Sequence, residues 1–216
     1  MLREDEVAGS FSVLVDGVEW LGSGAAPSFH HDGKWATLTN HTYSRVSGAD
    51  GLGTFVRTEW QWRDMTDESC QWATAARVYE DAIVFEQTWT RPCGGGPIPP
   101  SSWPATATGD KEALLGAFPT FGLKEQADLP RAFLQYGGDM TGAGYKTGKL
   151  DASSMADGIG SGITGTAPLV LFSTDLRTTL TLSPFSNFMA ASQRFTPPVK
   201  DGAGATLGYG IMGDRF

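Results

Sequence analysis

The segment that most constrains the fold is a run of alternating residues between the two cysteines of the chain, Cys70 and Cys93. Its sequence is CQWATAARVYEDAIVFEQTWTRPC. Because side chains of a strand point alternately to the two faces of a sheet, a turn at Glu80 and Asp81 makes this run one β-hairpin. One face then carries mainly apolar side chains from both strands: Trp72, Thr74, Ala76, Val78, Ile83, Phe85, Gln87 and Trp89.

The two cysteines fall near each other at the open end of this hairpin. A turn at Glu80 and Asp81 leaves them offset by about two positions, and a turn one residue later places them directly opposite. A disulfide between Cys70 and Cys93 and a pair of buried free thiols are therefore both compatible with the sequence.

Two other segments have the alternation of half-buried strands. In the stretch SFSVLVDGVEWLG, apolar and polar residues alternate on both sides of Asp16-Gly17. This pattern predicts a second hairpin with strands near Phe11–Val15 and Val18–Leu21. The stretch Thr54–Trp62 places valine, threonine and two tryptophans on one face and Phe55, Arg57, Glu59 and Gln61 on the other. It predicts a strand with one buried face.

The remaining chain has the pattern of short strands separated by turns. Strands are expected at Arg131–Tyr136, Leu169–Ser173 and Thr178–Ser183, while DKEALLGAF, residues 110–118, is the best candidate for a short helix. The 28 glycines and 12 prolines supply turn positions throughout. We expect an all-β fold, a large antiparallel β-sandwich of super-sandwich or jelly-roll type with at most one or two short helices, as a single domain over residues 1–216.

The charge of the chain limits its partners. A net charge of −8 and a pI near 4.8 disfavour nucleic acid and anionic membranes, since both need a basic surface. No run approaches the roughly 20 apolar residues of a membrane span.

The sequence leaves the cellular location open. A secreted or organellar origin is favoured by the paired cysteines and by the sequon Asn40-His41-Thr42, a possible glycosylation site. The start MLREDEV lacks the pattern of a signal peptide, so a cytoplasmic origin is equally open.

The three histidines do not support a metal centre. His30, His31 and His41 match no accepted zinc spacing. A loop cluster of histidines with Asp32 could bind a metal, but we interpret the histidines as loop residues in contact with water. No Gly-x-Ser-x-Gly motif occurs, so a serine triad is not expected. The sequence thus predicts no metal and no cofactor.

Two strand glutamates are the remaining catalytic candidates. Glycoside hydrolysis needs two carboxylates about 5 to 10 Å apart, and Glu59 and Glu86 both lie mid-strand on the more polar faces. The competing interpretation is structural, because Arg77 lies diagonal to Glu86 across the hairpin and can form an ion pair with it.

Seven tryptophans supply aromatic surface for a core or for a sugar site. Most are expected in the core. Trp35 and Trp103, which we expect in loops, are the candidates for carbohydrate binding.

Several phrases resemble glycoside-hydrolase-like proteins related to α-galactosidases and raffinose synthase-like enzymes. They are VDGVEWLGSG, GADGLGTF, ARVYEDAIVFEQTW, GAFPTFGL, PLVLFSTD and TLSPFSNFMAAS, in this order along the chain. The resemblance implies an N-terminal β-sandwich whose catalytic carboxylates belong to a following (β/α)8 barrel, so the chain is expected to be the N-terminal part of a longer protein.

The function expected from this resemblance is a non-catalytic, carbohydrate-associated β-sandwich, with a carbohydrate or the downstream catalytic domain as partner. Two alternatives stay open. One is a self-sufficient jelly-roll glycoside hydrolase or polysaccharide lyase that uses strand carboxylates, and the other is a structural or interaction sandwich without sugar affinity.

Overall fold

The fold consists of short antiparallel strands. The computed structural model describes residues 1–5, 10–23, 27–31, 34–63, 71–91, 114–123, 131–136, 144–151, 154, 162–164, 168–186, 191–196 and 205–212. Within them the chain forms the strands β1 (Leu2–Asp5), β2 (Ser10–Val15), β3 (Val18–Ser23), β4 (Ser28–His31), β5 (Lys34–Thr37), β6 (His41–Asp50), β7 (Gly53–Trp62), β8 (Gln71–Val78), β9 (Ile83–Arg91), β10 (Leu114–Gly122), β11 (Arg131–Tyr136), β12 (Tyr145–Lys149), β13 (Gly162–Thr164), β14 (Leu169–Ser173), β15 (Thr179–Leu182), β16 (Ala191–Thr196) and β17 (Thr206–Met212).

These strands build three sheets. A nine-stranded sheet, the large sheet, has the order β1-β2-β3-β10-β17-β16-β13, with β4 paired to β10 and β5 paired to β4. Two smaller sheets have four strands each: β6-β7-β8-β9, called the β9 sheet, and β12-β11-β14-β15, called the β15 sheet. The antiparallel all-β architecture expected from the sequence is confirmed.

The hairpin between the cysteines forms as predicted. Val78 pairs with Ile83, and the N–H of Tyr79 donates to the carbonyl of Ala82 at 2.8 Å, so Glu80 and Asp81 lie at the tip of the turn. Cys70 and Cys93 themselves lie outside the described residues, and their pairing stays a prediction.

The Asp16-Gly17 hairpin is also confirmed, together with its turn chemistry. Val15 pairs with Val18, and the two turn residues have φ of 52° and 79°. Positive φ at both positions is the geometry that matches the right-handed twist of the flanking strands, and Asp-Gly suits it well.

The predicted helix over residues 110–118 is wrong in its described part. Leu114 to Phe118 belong to β10, which pairs with β17 on one side and with β3 and β4 on the other. The first residues of the predicted helix, 110–113, lie outside the described part. A nine-residue helix has little stability of its own, so the strand pairing on both sides decides the conformation here.

Both small sheets pack side by side on one face of the large sheet. The register of β2, β3, β10, β17 and β16 places one continuous set of side chains on this inner face: Phe11, Val13, Leu21, Phe121, Leu207, Tyr209, Phe195 and Gln193. At one end Phe11 and Phe121 contact Phe85 of the β9 sheet, with ring centroids 5.1 and 5.5 Å apart. At the other end Gln193 Nε2 donates to Gln135 Oε1 of the β15 sheet at 2.9 Å.

A buried arginine connects the β15 sheet to the large sheet. Arg131 of β11 is 6% exposed, and its guanidinium donates to the carbonyls of Glu19 at 2.9 Å and Trp20 at 3.3 Å. It also stacks 4.6 Å above the Trp20 ring. Burial lowers the pKa of Arg131, and the charge of Glu19 offsets part of this effect. A planar guanidinium can make all three contacts at once, which a lysine cannot.

We therefore expect Arg131→Lys to lower the free energy of unfolding by about 2 kcal/mol, because buried hydrogen bonds to a charged donor are lost. Arg177→Lys is the matched control, because that side chain is 86% exposed. We expect this substitution to change the free energy of unfolding by less than about 0.5 kcal/mol. Urea denaturation of the three proteins measures both changes. Equal changes for the two variants would contradict the assigned role of Arg131.

Candidate functional site

An open cleft of 1280 Å³ lies at the seam between the two small sheets, and we call it the seam cleft. Its floor is the inner face of the large sheet around Val13, Phe118, Phe121 and Tyr209. One wall is β9 and the other is β15 with the residues that follow it. The cleft thus exists because two separate sheets cover one larger sheet and their neighbouring edges do not pair with each other.

The β9 wall is the second strand of the cysteine hairpin. Residues 82–88 line the cleft without interruption. Phe85 packs its ring against Phe11 and against Phe118, at centroid distances of 5.1 and 5.8 Å. Gln87 Nε2 donates to the carbonyl of Phe118 at 2.6 Å, so a side-chain hydrogen bond also holds this wall to the floor.

The β15 wall combines hydroxyl groups with one exposed aromatic ring. Residues 179–186 line the cleft in one continuous run. Thr179 and Thr181 are exposed, whereas Leu180 and Leu182 turn inward and are half-buried. Phe185 is 70% exposed, so its ring face is open to a ligand.

The floor is held in place by a chain of buried amides. The Tyr209 hydroxyl donates to Gln193 Oε1 at 3.1 Å, and Gln193 in turn donates to Gln135. Gln135 Nε2 donates onward to the carbonyl of Tyr136 at 3.1 Å. Burial raises the pKa of Tyr209 far above its usual value, so the phenol stays protonated and remains a hydrogen-bond donor.

A cluster of charged side chains occupies the outward face of the β9 sheet, at the rim of the seam cleft. Arg57 binds Glu59 at 2.6 Å and Glu86 at 3.0 Å. Arg77 Nε donates to Glu86 Oε1 at 2.6 Å, and its Nη2 binds the same oxygen. The ion pair of Arg77 and Glu86 expected from their diagonal positions is confirmed, since Glu86 is paired with Ala75, two residues from Arg77.

The same cluster joins two hairpin turns. Asp50 Oδ2, at the turn between β6 and β7, accepts from Arg77 Nη1 at 2.8 Å and from the Tyr79 hydroxyl at 2.7 Å. Its Oδ1 accepts from the N–H of Leu52 at 2.9 Å. These hydrogen bonds hold the pKa of Asp50 below its ordinary value of 3.8. The bond from Tyr79 contributes most, followed by those from Leu52 and Arg77.

The two candidate carboxylates, Glu59 and Glu86, share this face and are bound to one guanidinium. Ala75 of β8 pairs with both, so their strands lie two strand spacings apart. Burial raises the pKa of Glu59, but hydrogen bonds from Gln61 and Arg57 and the charge of Arg57 outweigh it and leave the pKa below 4.5. The arrangement favours an ionised Glu59, which can act as a base or nucleophile but not as a proton donor at neutral pH.

The tryptophans divide between core and strand positions. Trp20, Trp60, Trp62 and Trp72 are buried, as expected for core residues. Trp35 lies in β5, where it pairs with His30, so the prediction that it belongs to a loop is wrong. The strand forms because β4 and β5 make a hairpin against β10. Trp103 lies outside the described residues, and sugar binding by Trp35 or Trp103 stays a prediction.

The histidines also lie in strands. His30 and His31 belong to β4 and His41 begins β6, so their interpretation as loop residues is wrong. The His41 ring packs 4.9 Å from Trp62. Among the residues that the structure describes, no three His, Cys, Asp or Glu side chains come together as a possible metal site.

Asn40 is exposed directly before β6, and its carbonyl accepts from the N–H of Arg63 at 2.9 Å. Its side chain is therefore accessible to the glycosylation machinery in a secretory compartment, and modification there stays a prediction.

Sequence reasoning missed most of the cleft. Phe118, Phe121, Tyr209, Thr181 and Phe185 come from segments far apart in the chain and share no motif. The available signal was the alternation of β15, in which Thr179 and Thr181 are separated by leucines. It indicates a half-exposed strand but not what the exposed face adjoins.

Comparison with known proteins found no family model, curated protein or solved structure that matches the chain. No helix with the length and apolar character of a membrane span occurs in the part of the chain that the structure describes.

The lowered pKa of Asp50 predicts a specific pH dependence of stability. The ionised carboxylate stabilises the folded state above about pH 4, and this contribution is lost as the pH falls through the lowered pKa of the folded protein. We expect the difference in unfolding free energy between the wild type and Asp50→Asn to be largest at pH 6 and to shrink towards pH 3.

Urea titrations at several pH values measure this difference. Tyr79→Phe removes the shortest hydrogen bond to Asp50, at 2.7 Å, but keeps the charge, so it should reduce the pH dependence only in part. A difference between wild type and Asp50→Asn that stays constant across this pH range would contradict the assignment.

Proposed function

We propose that this protein is a non-catalytic, carbohydrate-binding β-sandwich that accompanies a glycoside hydrolase catalytic domain, and that it binds sugar in the seam cleft. The observation that carries the proposal is the composition of the cleft. It combines aromatic rings, threonine hydroxyls and carboxylates in one open groove of 1280 Å³.

Each part of this lining suits one feature of a sugar. Sugar rings have apolar C–H faces that stack on aromatic rings, and Phe185 and the half-buried Phe85 and Tyr209 offer such surfaces. Sugar hydroxyls both donate and accept hydrogen bonds, and Thr179 and Thr181 can do the same from the opposite wall. Mostly apolar grooves with a few convergent polar groups are typical binding sites.

The charged cluster supports a binding role in preference to a catalytic one. Glu86 is bound by two arginines and Glu59 by one of them, so neither carboxylate is placed as a proton donor. Hydrolysis with two carboxylates needs one of them protonated at the working pH. The sequence phrases that resemble α-galactosidase-like proteins support the same proposal, since the resemblance assigns the catalytic carboxylates to a separate barrel.

The exposed ring of Phe185 provides the test of sugar binding. We expect Phe185→Ala to weaken binding of the best saccharide on a glycan array by about tenfold, because one stacking surface of the cleft is removed. Tyr145→Ala is the matched control: its ring is equally exposed, at 70%, but lies on β12, at the edge of the β15 sheet far from the cleft. Equal losses in both variants, or no saccharide bound by the wild type, would contradict the proposal.

One observation favours a second candidate function, a glycoside hydrolase that works without a barrel. Glu59 and Glu86 lie on the same face and converge on Arg57, as a catalytic pair would. A release of reducing sugar from oligosaccharides by the wild type is its first requirement.

The proposed binding function predicts no such release, whereas the alternative predicts an activity that Glu59→Gln and Glu86→Gln both reduce by about a hundredfold or more. Glu80→Gln is the control, because Glu80 is exposed at the same rim of the cleft and contacts neither arginine in the described structure. Circular dichroism of each variant separates loss of chemistry from loss of fold.

A further inference from the structure

The walls of the seam cleft are strand edges. Residues 82–88 and residues 179–186 each line it as an unbroken run, so the lining includes residues from both faces of β9 and of β15. A strand contributes consecutive residues to a groove only when its edge faces that groove. β9 and β15 are the last strands of their sheets among the described strands, and an edge strand turns backbone N–H and C=O groups outward.

The cleft is long in comparison with a single sugar ring. Seven residues of extended strand span roughly 20 Å, at about 3.3 Å per residue. Its volume of 1280 Å³ also exceeds the upper range of pockets for small ligands, which is about 1000 Å³. The groove therefore has room for several rings in a row.

The charges at the cleft disfavour an anionic ligand. Among the described lining residues the cationic side chains are Arg57 and Arg77, and both are already bound by carboxylates. Asp16, Glu80 and Asp81 are exposed at the turns that border the cleft. The α-ammonium of Met1, the other cation of the lining, donates to the carbonyl of Leu14 at 2.6 Å. An acidic sugar would therefore meet like charges at these turns, while the cations of the cleft already have partners.

We infer that the ligand of the seam cleft is a neutral linear oligosaccharide of several rings, lying lengthwise between the edges of β9 and β15. Its hydroxyls bond to the outward backbone groups of both edges and to Thr179 and Thr181. This inference rests on the proposed function and adds to it the length and the charge class of the ligand.

Calorimetric titration of the full chain with saccharides of increasing length tests the inference. The probes are cello- and malto-oligosaccharides of one to six rings, together with oligogalacturonides of the same lengths as free acids and as full methyl esters. In at least one neutral series we expect affinity to rise about tenfold or more from one ring to four. We expect each methyl ester to bind at least about tenfold more tightly than its free acid.

A substitution on the β15 edge tests the place of binding. Thr181→Arg adds a free cation within the cleft, so it should raise the affinity for the free acids severalfold and lower that for long neutral chains. Thr147→Arg is the matched control, because Thr147 is exposed on β12, at the opposite edge of the same sheet. Equal effects of the two variants would overturn the location.

The outcomes separate this inference from the proposed function. If one ring binds as tightly as six, or if the free acids bind more tightly than their esters, the inference is wrong while carbohydrate binding stands. If no saccharide of any series binds, the proposed function itself is overturned.

Discussion

The packing of four phenylalanines is the contact on which the seam cleft depends. Phe85 of the β9 sheet contacts Phe11, Phe118 and Phe121 of the large sheet, with ring centroids between 5.1 and 5.8 Å apart. Aromatic pairs at these distances add to the free energy of burial. Since Phe85 lies in the edge strand of its sheet, the same rings that hold the β9 sheet to the large sheet also place the edge that forms one wall of the cleft.

The opposite wall is held by polar groups instead. Arg131 and the chain from Tyr209 through Gln193 to Gln135 connect the β15 sheet to the large sheet, and these side chains lie in or against the core. Buried polar groups tolerate few alternative arrangements, because each lost hydrogen bond leaves a desolvated partner. An apolar anchor on one side and a directional polar anchor on the other thus keep the two edges apart over a common floor.

The features predicted correctly are those decided within one stretch of chain. The turn at Glu80 and Asp81, the positive φ of Asp16 and Gly17 and the diagonal pair of Arg77 and Glu86 all follow from strand alternation and turn preferences. The strands over residues 131–136 and 169–173 were predicted with their observed bounds for the same reason. The helix over residues 110–118 failed because β10 takes its conformation from neighbours distant in sequence. The loop assignments of His30 and Trp35 failed because β4 and β5 form a hairpin against β10.

By itself, the sequence determined that the chain is all-β, which hairpins it contains and that it carries a net charge of −8, since alternation, turn residues and net charge are local or summed properties. Only the tertiary structure decided that the two four-stranded sheets lie side by side on one larger sheet and leave a cleft between the edges of β9 and β15. It also decided that Glu59 and Glu86 share Arg57. Tertiary contacts in this fold join residues as far apart as Arg131 and Glu19, 112 positions, and their pairing depends on which buried faces complement each other in three dimensions.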